Sequence, residues 1–238
     1  CSTSACSSSR SRGSRVTAAA QSTEGSRSLA TIGRGIAPSP NGNKENQRVK
    51  HEVLLLGGGG HAQVVADAAI ASGLTIVGFL DDDPERFLRG YDFERRGPIQ
   101  DPPSDCLACA VHAATGDASL REAWLRPFTN IMSIVHPTAV LSPRATVGRG
   151  VFIAPRAILN ASAVVQHGAI INSGAIIEHD VTVEAYAHVA PGAIVCGGAL
   201  IGRGALVGAG AVVLPGVTVP HGATVPAGSV ATRQNSTQ

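Results

Sequence analysis

The chain has 238 residues, enough for one large or two modest domains, and its net charge of +2 gives no basic footprint for nucleic acid. It is 44% hydrophobic but only 3% aromatic, with 28 Gly, so its core is built from Val, Ile and Ala and its interior is narrow and regular. No run of about 18 apolar residues is free of charges and turn breakers, which excludes a membrane-spanning helix, and the spacing of Cys1, Cys6, Cys106, Cys109 and Cys196 gives no disulfide framework.

Residues 1–48 are rich in Ser and Arg and nearly free of acid, with no long apolar stretch of the secretory type. This composition resembles an organelle transit peptide, which would place the protein in a plastid or mitochondrion; without that role the compartment is the cytoplasm. The segment is too poor in apolar residues to pack and is expected to be disordered, as is a short tail, 234–238.

Residues 49–133 have the pattern of a small Rossmann-like α/β domain. "HEVLLLGGGGHAQVVADAAIASGLTIVGFLDDDPE" predicts a buried strand over Val53–Leu56, a glycine-rich turn, a helix from about Ala62 to Ser72 and a second strand over Leu74–Leu80. Glycines let a ligand approach the backbone, and the helix N-terminus suits a phosphate. "GGGGH" is not GxGxxG, so a nicotinamide cofactor has little support. Asp81, Asp82 and Asp83 follow the second strand, where an acid can accept hydrogen bonds from a ribose. "CLACAVHAATGDASLREAWL" then predicts a strand, a turn at Gly116–Asp117 and a helix. With no second CxxC in the chain, Cys106 to Cys109 are expected in a buried strand, not a zinc or redox site.

Residues 134–233 follow a strict six-residue period. Val135, Leu141, Val147, Ile153, Leu159, Val165, Ile171 and Ile177 begin a series of aliphatic residues that recurs every six positions to Val225, and the fifth position of each hexad is Ala, Val or Ser. This register predicts a left-handed parallel β-helix: three hexads close a triangular coil of 18 residues, the aliphatic side chain fills the interior, and the small residue fits where space is short. The third hexad positions lie at turns and stack in three columns, in one of which His179 stands between Ala161 and Gly197. Asp180 follows it and can hold the imidazole in one tautomer and raise its basicity. No two histidines are 36 or five residues apart, the spacing of the zinc ligands in β-helical carbonic anhydrases, so no metal is expected. Nothing beside Cys196 in the sequence activates it as a nucleophile.

The segments "LLLGGGGHAQVV", "FLDDD", "ATGDASLR", "IVHPTAVLSPRATVG" and "INSGAIIEHDVTVEAYAHVAPGA", in this order over Val53 to Arg233, resemble the sialic acid O-acetyltransferase and UDP-amino-sugar (bacillosamine, perosamine) N-acetyltransferase family. The resemblance implies an acetyl-CoA-dependent acetyltransferase acting on an amino group or hydroxyl of a UDP-amino-sugar or sialic acid-like substrate. It implies a homotrimer with its site between neighbouring prisms, and no membrane or nucleic-acid partner. By the same resemblance His179 is the general base, Asp180 its activating neighbour, and Asn172 part of the same motif. His188, Ala209 and Ala227 contact the coenzyme; Gly59, Gly60, His61, Asp81, Asp82 and Gly116 bind the nucleotide-sugar. After Asp83, where the family continues to a short strand, "PERFLRGYDFERRGPIQDPPSD" is charged and Pro-rich, and the chain ends on "VPAGSVATRQNSTQ" instead of a "GVPA"-type motif. Two readings of other classes are a non-catalytic trimeric scaffold, which would not retain Asn172, His179, Asp180 and His188 together, and a sugar-nucleotide-binding regulator, which would not bind coenzyme A.

Overall fold

The structure, a computed structural model, describes residues 51–233; the Ser/Arg-rich segment expected to be a disordered transit peptide and the tail 234–238 lie outside the described residues. The first part contains β1 (Glu52–Leu56), α1 (Gly60–Ala71), β2 (Thr75–Leu80), β3 (Arg95–Gly97), β4 (Val111–Ala113) and α2 (Ala118–Leu125). The strands form a parallel sheet in the order β3-β2-β1-β4. Its chain order reverses at β1, which leaves a crevice beyond the carboxyl ends of β1 and β4. The all-aliphatic run Val53–Leu56 is fully buried because the sheet is covered on both sides. Asp117 caps α2 by accepting the Leu120 amide at 2.9 Å.

One expectation fails here. Cys106 to Cys109 form turns, with the Cys106 amide donating to Pro103 O and the Cys109 amide to Cys106 O. Pro102 and Pro103 start this turn, Leu107 is exposed, and the strand begins only at Val111. Burial of Cys106 raises its thiol pKa.

From Ile134 onward two-residue strands recur every six positions, from β5 (Ile134–Val135) to β21 (Val230–Ala231). They stack into three parallel sheets of six, six and five strands with an 18-residue register, as in Ile170↔His188 and Ile171↔Val189. The period read from the sequence is therefore the rung register of a triangular prism. Its interior is the predicted series, with Ile153, Ile171, Ile177, Val183, Val189 and Val195 fully buried over Ala157, Ala175, Ala187 and Ala193.

The face containing Ile134–Val135, Phe152–Ile153, Ile170–Ile171 and His188–Val189 is the first face. The sheet with Ile158–Leu159, Ile176–Ile177 and Ile194–Val195 is the second, and that with Val164–Val165, Thr182–Val183 and Leu200–Ile201 the third. The α/β part sits on the first face. Ile134, Phe152 and Ile170, which point outward there, share one core with Val53, Leu55, Ala62, Val65 and Ala69. The Ser72 hydroxyl adds a 2.7 Å hydrogen bond to Val135 O.

Candidate active site

A cleft opens in the α/β part between Gly57, Gly59, Gly60, His61, Asp81, Asp82, Arg86, Ala114, Thr115 and Trp124. The four glycines of "GGGG" divide into two pairs. A Cβ on Gly57 would stand 2.9 Å from the Trp124 ring, and one on Gly58 2.7 Å from Phe79, so these two are needed for packing. A Cβ on Gly59 or Gly60 would meet nothing within 4 Å. Those two face the cleft at the start of α1, where no side chain caps the helix. The first amides of the helix are thus left for an anionic ligand.

The aspartates are partly committed to the protein itself. Asp81 accepts the Gly58 amide at 2.8 Å through Oδ2 and the Asp83 amide at 3.0 Å through Oδ1. Asp82 Oδ1 accepts the amides of Ile99 (2.7 Å) and Gln100 (3.0 Å). Asp81 therefore fixes the glycine turn, and Asp82 retains Oδ2 for a ligand. Arg86, 3.5 Å from Asp81, and Trp124 enter the cleft without having been singled out in the sequence. The signal for Trp124 is that it is the chain's single tryptophan, on the side of α2 that also carries the buried Arg121 and Leu125.

His188 stands on the first face where the α/β cover ends. Its outward row runs Phe152, Ile170, His188, Leu206 and Thr224 in register; the first two are buried, His188 is half-buried and Thr224 is exposed. The Asn172 amide reaches His188 Nε2 at 3.1 Å, while Asn172 Oδ1 accepts the Ser173 amide at 2.8 Å. With Oδ1 so engaged, Nδ2 donates to Nε2, and the ring proton lies on Nδ1, the side hydrogen-bonded to the Gly116 backbone. Gly116 thus belongs beside His188: a Cβ there would be 3.7 Å from the ring. His61 packs edge-on to Phe152 at 5.5 Å and lies 6.4 Å from the His188 ring. Burial, and then the nearby Arg121 guanidinium, pull both imidazoles down to about 4, so both are neutral at pH 7.

His179 and Asp180 form a separate pair. Nδ1 of His179 is 2.8 Å from Asp180 Oδ2, and both side chains are exposed. Asp180 has φ 59°, in the left-handed region where Gly150, Gly168, Gly174, Gly192 and Gly198 stand in other turns.

The family model described as the PglD N-terminal domain matches residues 52–127. Among solved structures, a perosamine N-acetyltransferase from Caulobacter crescentus, in complex with CoA and GDP-perosamine, is 33% identical with a TM-score of 0.70, over 76% of this chain and 89% of that one. The acetyltransferase domain of PglB from Neisseria gonorrhoeae is 30% identical with a TM-score of 0.70, over 76% of this chain and 91% of that one. The same domain in complex with acetyl coenzyme A gives 30% and 0.69. The chain belongs to the hexapeptide-repeat nucleotide-sugar N-acetyltransferase family. A search of curated proteins returned no match.

For a member of this acetyltransferase family the placement of the groups on the prism is decisive. Ser173, Pro191, Ala209 and Ala227 stack on the edge between the first and second faces, Gly210 donating to Pro191 O at 2.9 Å and Gly228 to Ala209 O at 2.8 Å. Ala209 and Ala227 therefore border the uncovered half of the first face, next to His188. His179 lies on the edge between the second and third faces, opposite the face that carries the α/β part. By the family resemblance Asn172 shares the site motif of His179, while His188, nine residues and half a coil further on, contacts the coenzyme. Within one chain Asn172 and His188 meet at the first face, His179 and Asp180 meet at the opposite edge, and the two pairs are on different sides of the prism.

Proposed function

We propose that the protein transfers an acetyl group from acetyl-CoA to the amino group of a nucleotide-linked amino-sugar, as a homotrimer in which His179 of one subunit serves the cleft of its neighbour. One observation carries the reading: a histidine–aspartate pair lies across the prism from a glycine-lined cleft, so a second copy is needed to bring base and sugar together. The outward row of the second face supports it. Val140, Ile158, Ile176, Ile194, Val212 and Val230 are all aliphatic, none is buried, and Val140 is 61% exposed. This apolar strip lies between the edge of Ala209 and Ala227 and the edge of His179. Packing it around a threefold axis would cover it and turn the two edges of neighbouring subunits toward each other.

In the reaction the glycine turn and the start of α1 hold the diphosphate, and Asp82 Oδ2 accepts an N–H or O–H from the nucleoside. Coenzyme A lies along the open half of the first face, past Ala209 and Ala227, with His188 at its inner end. The sugar amine attacks the thioester carbonyl. Its proton passes to Nε2 of His179, whose Nδ1 is held by Asp180, and the C–S bond breaks with loss of the coenzyme thiolate. An imidazole of reference pKa about 6.5 acting in this way contributes typically 10²- to 10⁴-fold. The bound CoA and GDP-perosamine of the Caulobacter enzyme favour a nucleotide-amino-sugar over a free sialic acid.

The test is mass spectrometry of the protein incubated with acetyl-CoA and a panel of UDP- and GDP-amino-sugars and sialic acids. Acetylation of an amine on at least one nucleotide-sugar is expected. Acetylation confined to hydroxyls, or coenzyme A binding with no transfer to any member, would overturn the reading.

A further inference from the structure

Arg121 on α2 is 1% exposed, one of two buried polar or charged side chains in the described core. Among the described residues no carboxylate forms an ion pair with it. Its guanidinium instead donates to three carbonyls: Nε to Gly168 O at 2.9 Å, Nη1 to Thr115 O at 3.1 Å, and Nη2 to Tyr186 O. Those carbonyls belong to three separate segments. Thr115 borders the sugar cleft and precedes Gly116; Gly168 and Tyr186 sit one coil apart on the edge between the third and first faces. The second of these is strained. Tyr186 has φ 59°, an uncommon conformation for a bulky residue, and its ring is held by Arg203 at 4.9 Å and by His167 at 5.0 Å. A buried cation without a counter-ion is costly, and so is a strained tyrosine. The two meet at one hydrogen bond, one turn from His188.

We propose that Arg121 is a positioning residue of the coenzyme site: by gripping the Thr115, Gly168 and Tyr186 carbonyls together it fixes the Thr115–Gly116 turn against His188 and sets a permanent positive charge beside that ring. The inference rests on the reading that His188 meets the coenzyme. Burial keeps His188 in its neutral form and the charge adds to that effect; in this form Nε2 accepts from Asn172 and Nδ1 faces Gly116. Among the described residues, the other charged or titratable groups near this cluster are His61 from α1, His112 from β4, Asp117 at the start of α2, which acts on Arg121, and Glu122 and Arg126, which with Arg203 act on Tyr186. All three histidines are held neutral by burial, with Arg121 adding to the effect on each. A planar five-donor fork is required for three carbonyls at once, and an ammonium at the same place would keep the charge but lose the geometry.

Two variants separate the two roles. Arg121→Lys keeps the charge and loses the fork; Arg121→Gln loses the charge. The His188 ring titration is followed by NMR, assigned with His188→Asn, and coenzyme A affinity by calorimetry. In Arg121→Gln the His188 pKa should rise by about one unit, because a neighbouring cation has been removed. In Arg121→Lys it should stay within a few tenths of a unit, while coenzyme A affinity falls about tenfold with the loss of loop geometry. Folded variants with an unchanged His188 titration and wild-type coenzyme affinity would overturn the proposal. So would equal effects of Lys and Gln on the titration. Should Arg121→Gln not fold, wild-type coenzyme affinity in Arg121→Lys alone overturns it. Neither readout uses turnover, so a protein that binds coenzyme A but acetylates no sugar refutes the proposed function and leaves this test intact.

Discussion

The imidazole of His179 lies over the backbone of Gly197, one coil further along the same edge: a Cβ on Gly197 would stand 2.7 Å from both Cε1 and Nε2 of the ring. The missing side chain is the seat of the ring. Gly197 has no left-handed φ, unlike its neighbour Gly198, so an alanine there is conformationally acceptable and only the imidazole has to move. Gly197→Ala should leave the circular dichroism spectrum and melting temperature close to wild type while lowering kcat by at least about tenfold, since a misplaced base loses much of its typical contribution. Wild-type turnover would show that the ring position does not matter.

His179→Ala should lower kcat by at least about 10²-fold with acetyl-CoA still bound. His188→Ala should instead weaken coenzyme binding. Because His188 is on the first face and His179 on the opposite edge of the prism, co-assembled subunits carrying one substitution each should regain part of the activity that neither homo-oligomer has. Assay of mixed and refolded subunits checks this; no recovery would argue against a site shared between subunits.

Ile176→Glu places a charge at the centre of the aliphatic strip on the second face without touching the interior, where the neighbouring Ile177 is fully buried. Light scattering should show dissociation to monomers, with the prism still folded and activity lost. A trimer that survived the substitution would move the interface to another face.

Asp180 adopts φ 59° at a position where most other turns have glycine, and its contact with His179 is exposed and adds little stability. Asp180→Gly should therefore raise stability, by roughly 0.5–1 kcal/mol from relief of the left-handed backbone, and still lower kcat. Thermal melts and turnover measured on the same sample distinguish this from a structural role, in which both would fall.

Stability should fall on mild acidification. His61, His112 and His188 are neutral in the fold with pKa values lowered to about 4 by burial, against about 6.5 in the unfolded chain. Between these values the unfolded chain binds more protons, so the folded state loses stability as pH drops from 6.5 to 4 and loses no more from these groups below that. His112, fully enclosed and bonded to Met132 O at 2.9 Å, contributes on the order of 3 kcal/mol across the window. The urea midpoint should decline from pH 6.5 to 4.5, and less steeply in His112→Gln. A flat midpoint over this range in the wild type would contradict the burial of the three rings as neutral groups.

The period of six fixed the prism from sequence alone, because each coil repeats the same local requirement: an aliphatic residue inward, a small one where the walls converge, a turn between. The same period puts Ile171, Ile177 and Val183 inward and stacks His179 beneath Gly197. The glycine turn and α1 were legible for the same reason, since strand, turn and helix are set by neighbours in sequence. Which face of the prism receives the α/β part is a long-range packing choice, made where Ile134, Phe152 and Ile170 put large side chains outward on the same face, and it alone decides that His188 stands beside Gly116 and His61 and that His179 does not. The Cys106–Cys109 run reads as apolar enough for a strand, yet Pro102 and Pro103 and the turn bonds that follow them prevail. Arg121 sits in a polar-looking helix; only the convergence of Thr115, Gly168 and Tyr186 carbonyls makes its burial possible, and no local pattern encodes three acceptors brought from three segments.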